Sequence, residues 1–350
     1  MIKIGIIFGG RSGEHTVSLM SATSVINALD RNKFQVICIG ITRRGEWKRY
    51  DGSASDIENG EWEKKAVPFN PGDLKQEIDF AFPVLHGPYG EDGTIQGLFE
   101  MLDVPYAGCG VLASALAMDK IAAKEIFTSV GLPVCAYTTM MSEDLGTNDE
   151  LLADKIEQEL SGKYPFFVKP ANMGSSVGIN KAKNRSALIA ALYEAAKYDR
   201  RLIIEEGIDA RELEAAMLGN IEIEASVVGE ICPAAEFYDY HTKYFDGGRS
   251  EVEIPARVNP DIAEQIRQLA VKAYQALDCA GFSRVDFFLE NKTNKIYISE
   301  INTIPGFTKY SMFPQLWQST GITYSGLLER IVELGYERYY VKNHRQTAIQ

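Results

Sequence analysis

The sequence predicts an α/β protein built from three units, the first of which contains a parallel sheet covered by helices. A chain of 350 residues is too long for one compact hydrophobic core, so two or three units are expected. Strand-like apolar runs alternate with helical patterns through roughly the first 108 residues, and this alternation is typical of parallel sheets. We place the units at residues 1–108, 109–206 and 207–350.

The composition excludes several classes of function. The formal net charge of −12 argues against a nucleic-acid-binding surface. No apolar stretch approaches the roughly 20 residues that span a membrane, and the amino-terminal run enters a glycine turn as a first strand would, unlike a signal peptide. The five cysteines are scattered, as in reduced cytoplasmic proteins, and the four histidines show no zinc-ligand spacing. We therefore expect a cytoplasmic protein with small-molecule partners, no nucleic acid and no membrane.

The first unit begins with an apolar strand, and the two glycines at positions 9 and 10 predict a turn before the first helix. Its strands are expected at residues 3–8, 34–42 and 78–85, and its first helix at 16–30. The functional edge should be formed by the loops that follow the carboxyl ends of the strands.

The second unit has the pattern of a small α+β assembly, in which Gly131 and Pro133 end a helix that starts near residue 120. Further helices are expected near residue 113, at 149–160 and at 185–198, and strands at 134–141, 166–169, 177–181 and 202–206. In the third unit we expect strands at 212–219, 221–227 and 230–232, a polar loop at 239–253, helices at 260–277, 311–319 and 323–334, and a polar tail after Gly335 with a disordered end.

The most informative feature of the third unit is a β-hairpin with acidic and amide side chains at its ends. Two apolar strands flank the turn-rich segment NKTNK. Antiparallel pairing would bring Asp286 close to Glu300 and Asn302, and the last two share one face because they are two residues apart. Three oxygen donors on one face suit Mg²⁺, which proteins hold with carboxylates and substrate phosphates. Acids that end strands at a solvated edge would give the same pattern.

Two lysines are candidate phosphate ligands. Lys169 ends an apolar strand and precedes a loop of small residues, whose backbone N–H groups can approach an anion closely. The loop is not a Walker A motif, because the lysine comes before the glycines. Lys120, at the start of a helix, could hold the other end of a polyphosphate. A glycine-rich hairpin beside exposed lysines is the alternative interpretation.

Other polar residues lie where strands end. Glu212 follows a break in an apolar strand and could accept hydrogen bonds from a ribose, although a solvated acidic loop is the alternative. Glu14 precedes a helix and could bind an ammonium group. His86 lies in another strand-to-helix passage, either as a substrate neighbour or as a hydrogen-bonding residue at the core edge. Arg284, close to the acidic cluster, could neutralise an oxyanion or a phosphate.

Together these stretches resemble the D-alanine–D-alanine ligases of the ATP-grasp superfamily. The family's motifs occur in order from residue 8 to about residue 314, as FGGRSGEHTVS, HGPYGEDGTIQG, MDK, VKPANMGSSVG, KY followed by IPAR, GFSRVDFF and EINTIPGFT. The resemblance implies an α/β, three-subdomain ATP-grasp fold with an amino-terminal pre-ATP-grasp domain. It implies ligation of two D-alanines for peptidoglycan precursor synthesis, through a D-alanyl phosphate intermediate. It also implies ATP, two Mg²⁺ ions for which Mn²⁺ could substitute, and a homodimer.

The resemblance gives each matching position an expected role. ATP would be contacted by Lys120, Lys169, Glu205, Glu206, Ile208, Glu212 and Phe288. The metal ions would be bound by Asp286, Glu300 and Asn302. The first amino acid would be held by the hydrogen-bonded set Glu14, Ser175 and Tyr244, with His86 nearby. The tetrahedral oxyanion would be stabilised by Arg284 and the Gly306 amide. The second amino acid and the transferred phosphate would be surrounded by Lys243, Ser311 and Met312.

The sequence leaves the second substrate open. Lys243 and Tyr244 argue against D-lactate, because ligases that use D-lactate generally lack this pair, and the apolar Met312 favours D-alanine over D-serine. The stretches ITRRGEW and IPARV, however, are also similar to D-alanine–D-serine ligases of the vancomycin-resistance type. A ligase for L-amino acids and a non-catalytic nucleotide-binding homologue are further alternatives, and the complete metal set argues against the latter. The polar segment 239–253 is predicted to close over the site as a lid.

Overall fold

The computed structural model describes residues 1–175, 177–232 and 251–344, and three β-sheets organise this part of the chain. The amino-terminal sheet has the strand order β4-β3-β2-β1-β5, and β1 runs parallel to both β2 and β5 as predicted. The elements of this region are β1 (Ile2–Gly9), α1 (His15–Ala28), β2 (Phe34–Ile41), β3 (Trp47–Tyr50), α2 (Ala54–Glu58), α3 (Trp62–Lys65), β4 (Val67–Pro68), α4 (Leu74–Glu77), β5 (Phe80–Val84) and α5 (Thr94–Met101).

One edge of this sheet is antiparallel, which the sequence did not predict. β3 pairs antiparallel with β2, and β4 with β3. A tight turn causes the reversal, because Thr42 N donates to Glu46 O at 2.9 Å and Gly45 adopts the left-handed φ of +87°. Parallel neighbours need a long crossover connection, which so short a turn cannot provide.

The central sheet has the order β6-β9-β7-β8 and is antiparallel throughout. The predicted elements of this stretch are present, with ends shifted by a few residues. They are α6 (Val111–Met118), α7 (Lys120–Ser129), β6 (Tyr137–Met141), α8 (Asp149–Glu159), β7 (Phe166–Pro170), β8 (Asn180–Ala182), α9 (Arg185–Ala195) and β9 (Arg201–Glu206). Helices α8 and α9 pack on this sheet and form a separate core with its strands.

The carboxy-terminal sheet has the order β12-β11-β10-β13-β14, with antiparallel neighbours. Its region contains β10 (Ala210–Gly219), β11 (Glu224–Cys232), β12 (Glu251–Glu253), α10 (Pro260–Ala276), β13 (Gly281–Glu290), β14 (Ile296–Asn302), α11 (Met312–Ser319) and α12 (Tyr324–Asn343). The end of the predicted loop 239–253 is thus a strand, and the rest of that loop lies outside the described residues.

The two strands predicted at 221–227 and 230–232 are one continuous strand, β11. Gly229, which lies between the two predicted strands, stays in register opposite Glu214 of β10. A side chain at position 229 would come within 2.9 Å of Met312 Sδ and Leu316 Cδ2. The glycine therefore lets α11 approach the sheet closely instead of ending the strand.

The predicted helix end at residue 334 is also wrong, because α12 continues to Asn343. Gly335 lies against Phe80 of the amino-terminal sheet, where a side chain would collide with the ring. Beyond it, the Arg338 guanidinium lies 3.9 Å from the centre of the Tyr106 ring, and Tyr339 Oη donates to Asp103 Oδ1 at 2.9 Å. These contacts with the amino-terminal region stabilise the polar last turns of α12.

The amino-terminal and carboxy-terminal regions share one hydrophobic core. Phe82 meets Phe307 with ring centroids 5.7 Å apart, and Phe307 in turn contacts Phe282 and Phe313 at 5.4 Å. This core places the segment after β14 directly against the amino-terminal sheet. Among the described residues, the helices are too short or too polar to cross a membrane.

Candidate active site

A cleft of about 840 Å³ opens between the central and carboxy-terminal sheets. Its volume lies in the range of small-molecule and cofactor sites, about 300–1,000 Å³. Most of the predicted ATP-contacting and metal-binding residues line it, namely Lys169, Glu205, Glu206, Ile208, Glu212, Phe288, Asp286 and Glu300. The fold therefore brings these distant segments of the chain together at one cleft.

The hairpin brings the three predicted metal ligands together. The β13–β14 register sets Asp286 opposite Glu300 and Arg284 opposite Asn302. Asn302 Nδ2 donates to Asp286 Oδ2 at 2.9 Å, so the amide and both carboxylates lie at one end of the hairpin. The alternation of side chains along paired strands explains this convergence. The arrangement offers several oxygen atoms at the cleft wall, as a hard divalent cation requires.

Arg284 is held between two carboxylates. Its Nε and Nη2 atoms donate to the two oxygens of Asp286 at 2.7 Å, and Nε also lies 2.9 Å from Glu214 Oε2. Burial opposes its charge, but Asp286 and Glu214 raise the pKa of Arg284 well above its usual value. The sequence analysis missed Glu214. Its place two residues after Glu212 on one strand, facing the same side, was the available signal.

A buried ion triad orients Lys169. Its Nζ lies 2.6 Å from Glu205 Oε2, while Lys124 Nζ lies 3.1 Å from Glu205 Oε1. Burial alone would raise the pKa of Glu205, but the two lysines lower it to about 2. Lys124 is only 2% exposed and was not predicted. It lies one helical turn after Lys120, so its spacing was the signal available in the sequence.

Lys120 reaches the same site from the start of α7. Asp119 caps this helix by accepting hydrogen bonds from the backbone N–H groups of Ile121 and Ala122, at 3.1 and 2.9 Å. The Lys120 ammonium donates to Met173 O at 2.6 Å and lies 3.8 Å from Glu300 Oε2. Lys120 thus links the glycine- and serine-rich loop to the acidic end of the hairpin.

Glu14 and Ser175 meet although 161 residues separate them, because the Ser175 hydroxyl donates to Glu14 Oε1. The carboxylate of Glu14 is enclosed so closely that a side chain at Gly87 or Gly174 would collide with Oε2. This contact joins the amino-terminal and central regions. The third member of the expected set, Tyr244, lies outside the described residues, as does Lys243, which was expected beside the transferred phosphate.

A second carboxyl, the partly buried Glu91, lies beside Glu14 and was not singled out in the sequence. Its Oε2 accepts a hydrogen bond from Gly87 N at 2.7 Å, and its Oε1 accepts one from Ile304 N at 3.1 Å. Burial and repulsion from Glu14 raise the pKa of Glu91 to about 8. The motif HGPYGEDG contained this residue, but only the fold shows that its carboxylate contacts the backbone of Ile304.

His86 is buried, and hydrogen bonds occupy both of its ring nitrogens. Nδ1 lies 3.0 Å from Ile304 O and Nε2 lies 3.0 Å from Ser21 Oγ. Burial lowers the pKa of His86 to about 4, so the ring is neutral near pH 7. Of the two interpretations that the sequence left open, this geometry favours a hydrogen-bonding residue at the core edge.

The residues expected around the second amino acid lie after β14. Ser311 Oγ accepts a hydrogen bond from Thr308 N at 3.0 Å, and a side chain at Gly306 would come within 2.6 Å of the same oxygen. Met312 is 6% exposed and packs in the core shared by the amino- and carboxy-terminal regions. The structure therefore brings Gly306 next to Ser311 and places Met312 behind them.

The chain matches two family models along most of its length. Residues 3–109 match the model described as D-ala D-ala ligase N-terminus, and residues 126–333 match D-ala D-ala ligase C-terminus. The chain belongs to the D-alanine–D-alanine ligase family. Its fold is accordingly the α/β ATP-grasp fold that the sequence predicted.

Relatives in this ligase family are similar over nearly their whole length. A D-alanine–D-alanine ligase of Thermoanaerobacter sp. (strain X514) is 51% identical, with 97% of this chain and 98% of the relative covered. The one from Ruminiclostridium cellulolyticum is 49% identical, with 96% of both chains covered.

Two solved structures have the same fold. The D-alanine–D-alanine ligase from Coxiella burnetii is 32% identical, with a TM-score of 0.85 over 98% of this chain and 96% of that one. The VanG D-Ala:D-Ser ligase from Enterococcus faecalis is 38% identical, with a TM-score of 0.84 over 95% of this chain and 99% of that one. Members with different second substrates therefore share this architecture.

Proposed function

We propose that the chain ligates two D-alanines to D-alanyl-D-alanine at the expense of ATP and supplies this dipeptide for peptidoglycan precursor synthesis. The observation that carries the proposal is the convergence of complementary charges at one cleft. Lys169, Asp286 and Glu300 line the cleft. Lys120 lies 3.8 Å from Glu300, and Arg284 lies 2.7 Å from Asp286 on the same strand of the hairpin. A polyphosphate with a divalent cation needs this combination of groups.

The donor set at the hairpin end fits Mg²⁺. Asp286, Glu300 and Asn302 supply carboxylate and amide oxygens, and Asp286 and Glu300 line the cleft. Bound Mg²⁺ would neutralise phosphate charge and favour attack on the γ-phosphate. Two ions, and the use of Mn²⁺ in their place, are parts of the proposal.

The residues of the chain would then act on phosphate and substrate in turn. Lys120 and Lys169 bind ATP phosphates as the first D-alanine carboxylate attacks the γ-phosphorus and ADP leaves. Glu14, which Ser175 orients, binds the ammonium group of that amino acid. The amine of the second D-alanine attacks the acylphosphate carbonyl and loses a proton, the oxyanion is stabilised by Arg284 and the Gly306 N–H, and inorganic phosphate leaves.

The second candidate is a D-alanine–D-serine ligase, which the likeness to the VanG structure favours. Met312 argues for D-alanine, because a thioether in an apolar core offers only a weak acceptor to a serine hydroxyl. Apolar pockets reject an added hydroxyl modestly, by about a hundredfold at best. We therefore include some D-alanyl-D-serine formation at high D-serine in the proposal. A cytoplasmic location, consistent with the use of ATP, and a homodimer belong to the proposal as well.

Incubation of the purified chain with ATP, Mg²⁺ and equal concentrations of D-alanine and D-serine tests both candidates. We expect D-alanyl-D-alanine to dominate the products when they are identified by mass, and ADP and phosphate to form in equal amounts. With D-lactate in place of D-serine, we expect still less mixed product at neutral pH. L-alanine alone serves as the control and should release little phosphate.

Three outcomes would contradict the proposal in different ways. A mainly D-alanyl-D-serine product would change the second substrate and leave the ATP chemistry standing. Dipeptide formation from L-alanine would indicate the L-amino acid alternative. Nucleotide binding without D-alanine-dependent phosphate release would indicate the non-catalytic homologue.

A further inference from the structure

The backbone on both sides of Gly306 is held by side chains of the amino-terminal region. Ile304 O lies 3.0 Å from His86 Nδ1, and Ile304 N donates to Glu91 Oε1 at 3.1 Å. On the other side, Phe307 N donates to Ser21 Oγ at 3.3 Å. These are three anchoring points across four residues of a segment that has no regular secondary structure of its own.

The hydrogen-bonding capacity of these groups allows one arrangement of protons. A carbonyl oxygen can only accept, so the neutral His86 ring carries its proton on Nδ1 and donates to Ile304 O. Nε2 then has a lone pair and accepts from the Ser21 hydroxyl at 3.0 Å. Because the Ser21 proton is used in this way, Ser21 Oγ is left to accept from Phe307 N. The contact with Ile304 O thus sets the tautomer of His86, and His86 in turn orients the Ser21 hydroxyl towards its contact with Phe307 N.

The side chains that hold Ile304 and Phe307, namely those of His86, Ser21 and Glu91, form a hydrogen-bond network that is itself anchored in the amino-terminal region. Ser12 Oγ donates to His86 O at 2.6 Å, and Glu91 also accepts from Gly87 N at 2.7 Å. Ser21 is fully buried in α1, and His86 is 4% exposed. Buried hydrogen bonds of this kind restrict the backbone because an unpaired partner would be costly.

We propose that His86, Ser21 and Glu91 are positioning residues that hold the Gly306 N–H in place for the oxyanion of the second step. The amino-terminal region would thereby complete a catalytic group carried by the carboxy-terminal region. This inference rests on the proposed function, in which the Gly306 amide stabilises that oxyanion.

The experiment compares His86→Leu with His86→Asn. Asparagine carries an N–H₂ close to the place of Nδ1 and keeps the donor to Ile304 O, whereas leucine has none. We measure kcat, the KM values for ATP and D-alanine, and the ratio of dipeptide formed to phosphate released. His86→Leu should lower kcat for dipeptide by about a hundredfold, the order found for loss of one oxyanion donor. The ratio should also fall, because water hydrolyses an acylphosphate that still forms. The kcat of His86→Asn for dipeptide formation should be at least tenfold higher than that of His86→Leu.

A second variant keeps the test decisive if leucine disturbs folding. Ser21→Ala removes the hydroxyl that joins the His86 ring to Phe307 N. It should lower the kcat for dipeptide formation about tenfold, and it should also lower the ratio of dipeptide to phosphate. Ser114→Ala is its matched control, since Ser114 is also a fully buried helical serine. It should change neither quantity.

Other results would overturn the inference. Equal losses in His86→Leu and His86→Asn with an unchanged ratio and a raised KM for D-alanine would mean that the ring contacts substrate. A wild-type rate and ratio in Ser21→Ala would show that the network does not position Gly306. A wild-type chain that forms no dipeptide would defeat the proposed function and the inference with it.

Discussion

Replacement of Glu300 by alanine is expected to lower the rate of dipeptide formation about a thousandfold while the fold stays intact. Glu300 lies opposite Asp286 in the β13–β14 register, at the wall of the cleft, and its Oε2 is 3.8 Å from Lys120 Nζ. In the proposed metal site, loss of one of the two carboxylate ligands would remove transition-state stabilisation of about 4 kcal/mol, which corresponds to that factor. Glu300 is partly exposed, so the substitution leaves no buried cavity.

Steady-state kinetics over a range of Mg²⁺ and Mn²⁺ concentrations measure this effect. Glu224→Ala is the matched control, because Glu224 is an exposed carboxylate at the start of β11 in the same sheet. The control should retain wild-type activity, and both variants should melt within a few degrees of the wild type. Near-normal dipeptide formation by Glu300→Ala would remove Glu300 from the metal site.

The replacement Glu205→Met is expected to lower the free energy of unfolding by about 3–5 kcal/mol. It leaves the ammonium groups of the buried Lys124 and the partly buried Lys169 without the carboxylate that each approaches. Removal of one partner from a buried ion pair costs this much because the remaining charge stays desolvated. Urea-induced unfolding at pH 7 measures the change. The additional substitution Lys124→Met should recover part of the loss, since it removes one of the two unpaired charges.

The same triad predicts a dependence of stability on pH. The folded-state pKa of Glu205 is about 2, below its ordinary value of 4.5. Its contribution is therefore fully present above about pH 4.5 and is lost as the pH falls towards 2. Between pH 6 and pH 3, the free energy of unfolding measured from unfolding curves should decrease less in Glu205→Met than in the wild type. Exposed Glu125, on the same helix as Lys124, provides the control Glu125→Gln, which should follow the wild type. If Glu205→Met lowered the free energy of unfolding by less than about 1 kcal/mol at pH 7, the structural role of the triad would be contradicted.

Most of the proposed site could be predicted because its signals are local. The two-residue period of a strand and the short turn NKTNK determine which side chains of the hairpin face each other, so Asp286, Glu300 and Asn302 were found without the fold. Lys169 was found by its place at a strand end before a loop of small residues. The lid predicted at 239–253, with Lys243 and Tyr244, stays a prediction from sequence.

The residues that could not be predicted from the sequence share one property, which is that each contacts at least one partner that is distant in the chain. Lys124, Glu214 and Glu91 look like ordinary polar residues in the sequence, but the fold buries the first two and partly buries Glu91. The partners of His86 are 65 and 218 residues away. Local periodicity carries no information about such contacts, whereas burial decides how strongly each charge or hydrogen bond acts.

Apolar periodicity, turn residues and short motifs in the sequence predicted most of the strands and helices, the hairpin with its acidic end, and the family. Only the tertiary structure decided the roles of two glycines that look like stop signals. Gly229 continues a strand beneath α11, and Gly335 continues α12 against Phe80. Glycine ends an element in one context and permits close packing in another, and the neighbour that makes the difference comes from a distant part of the chain.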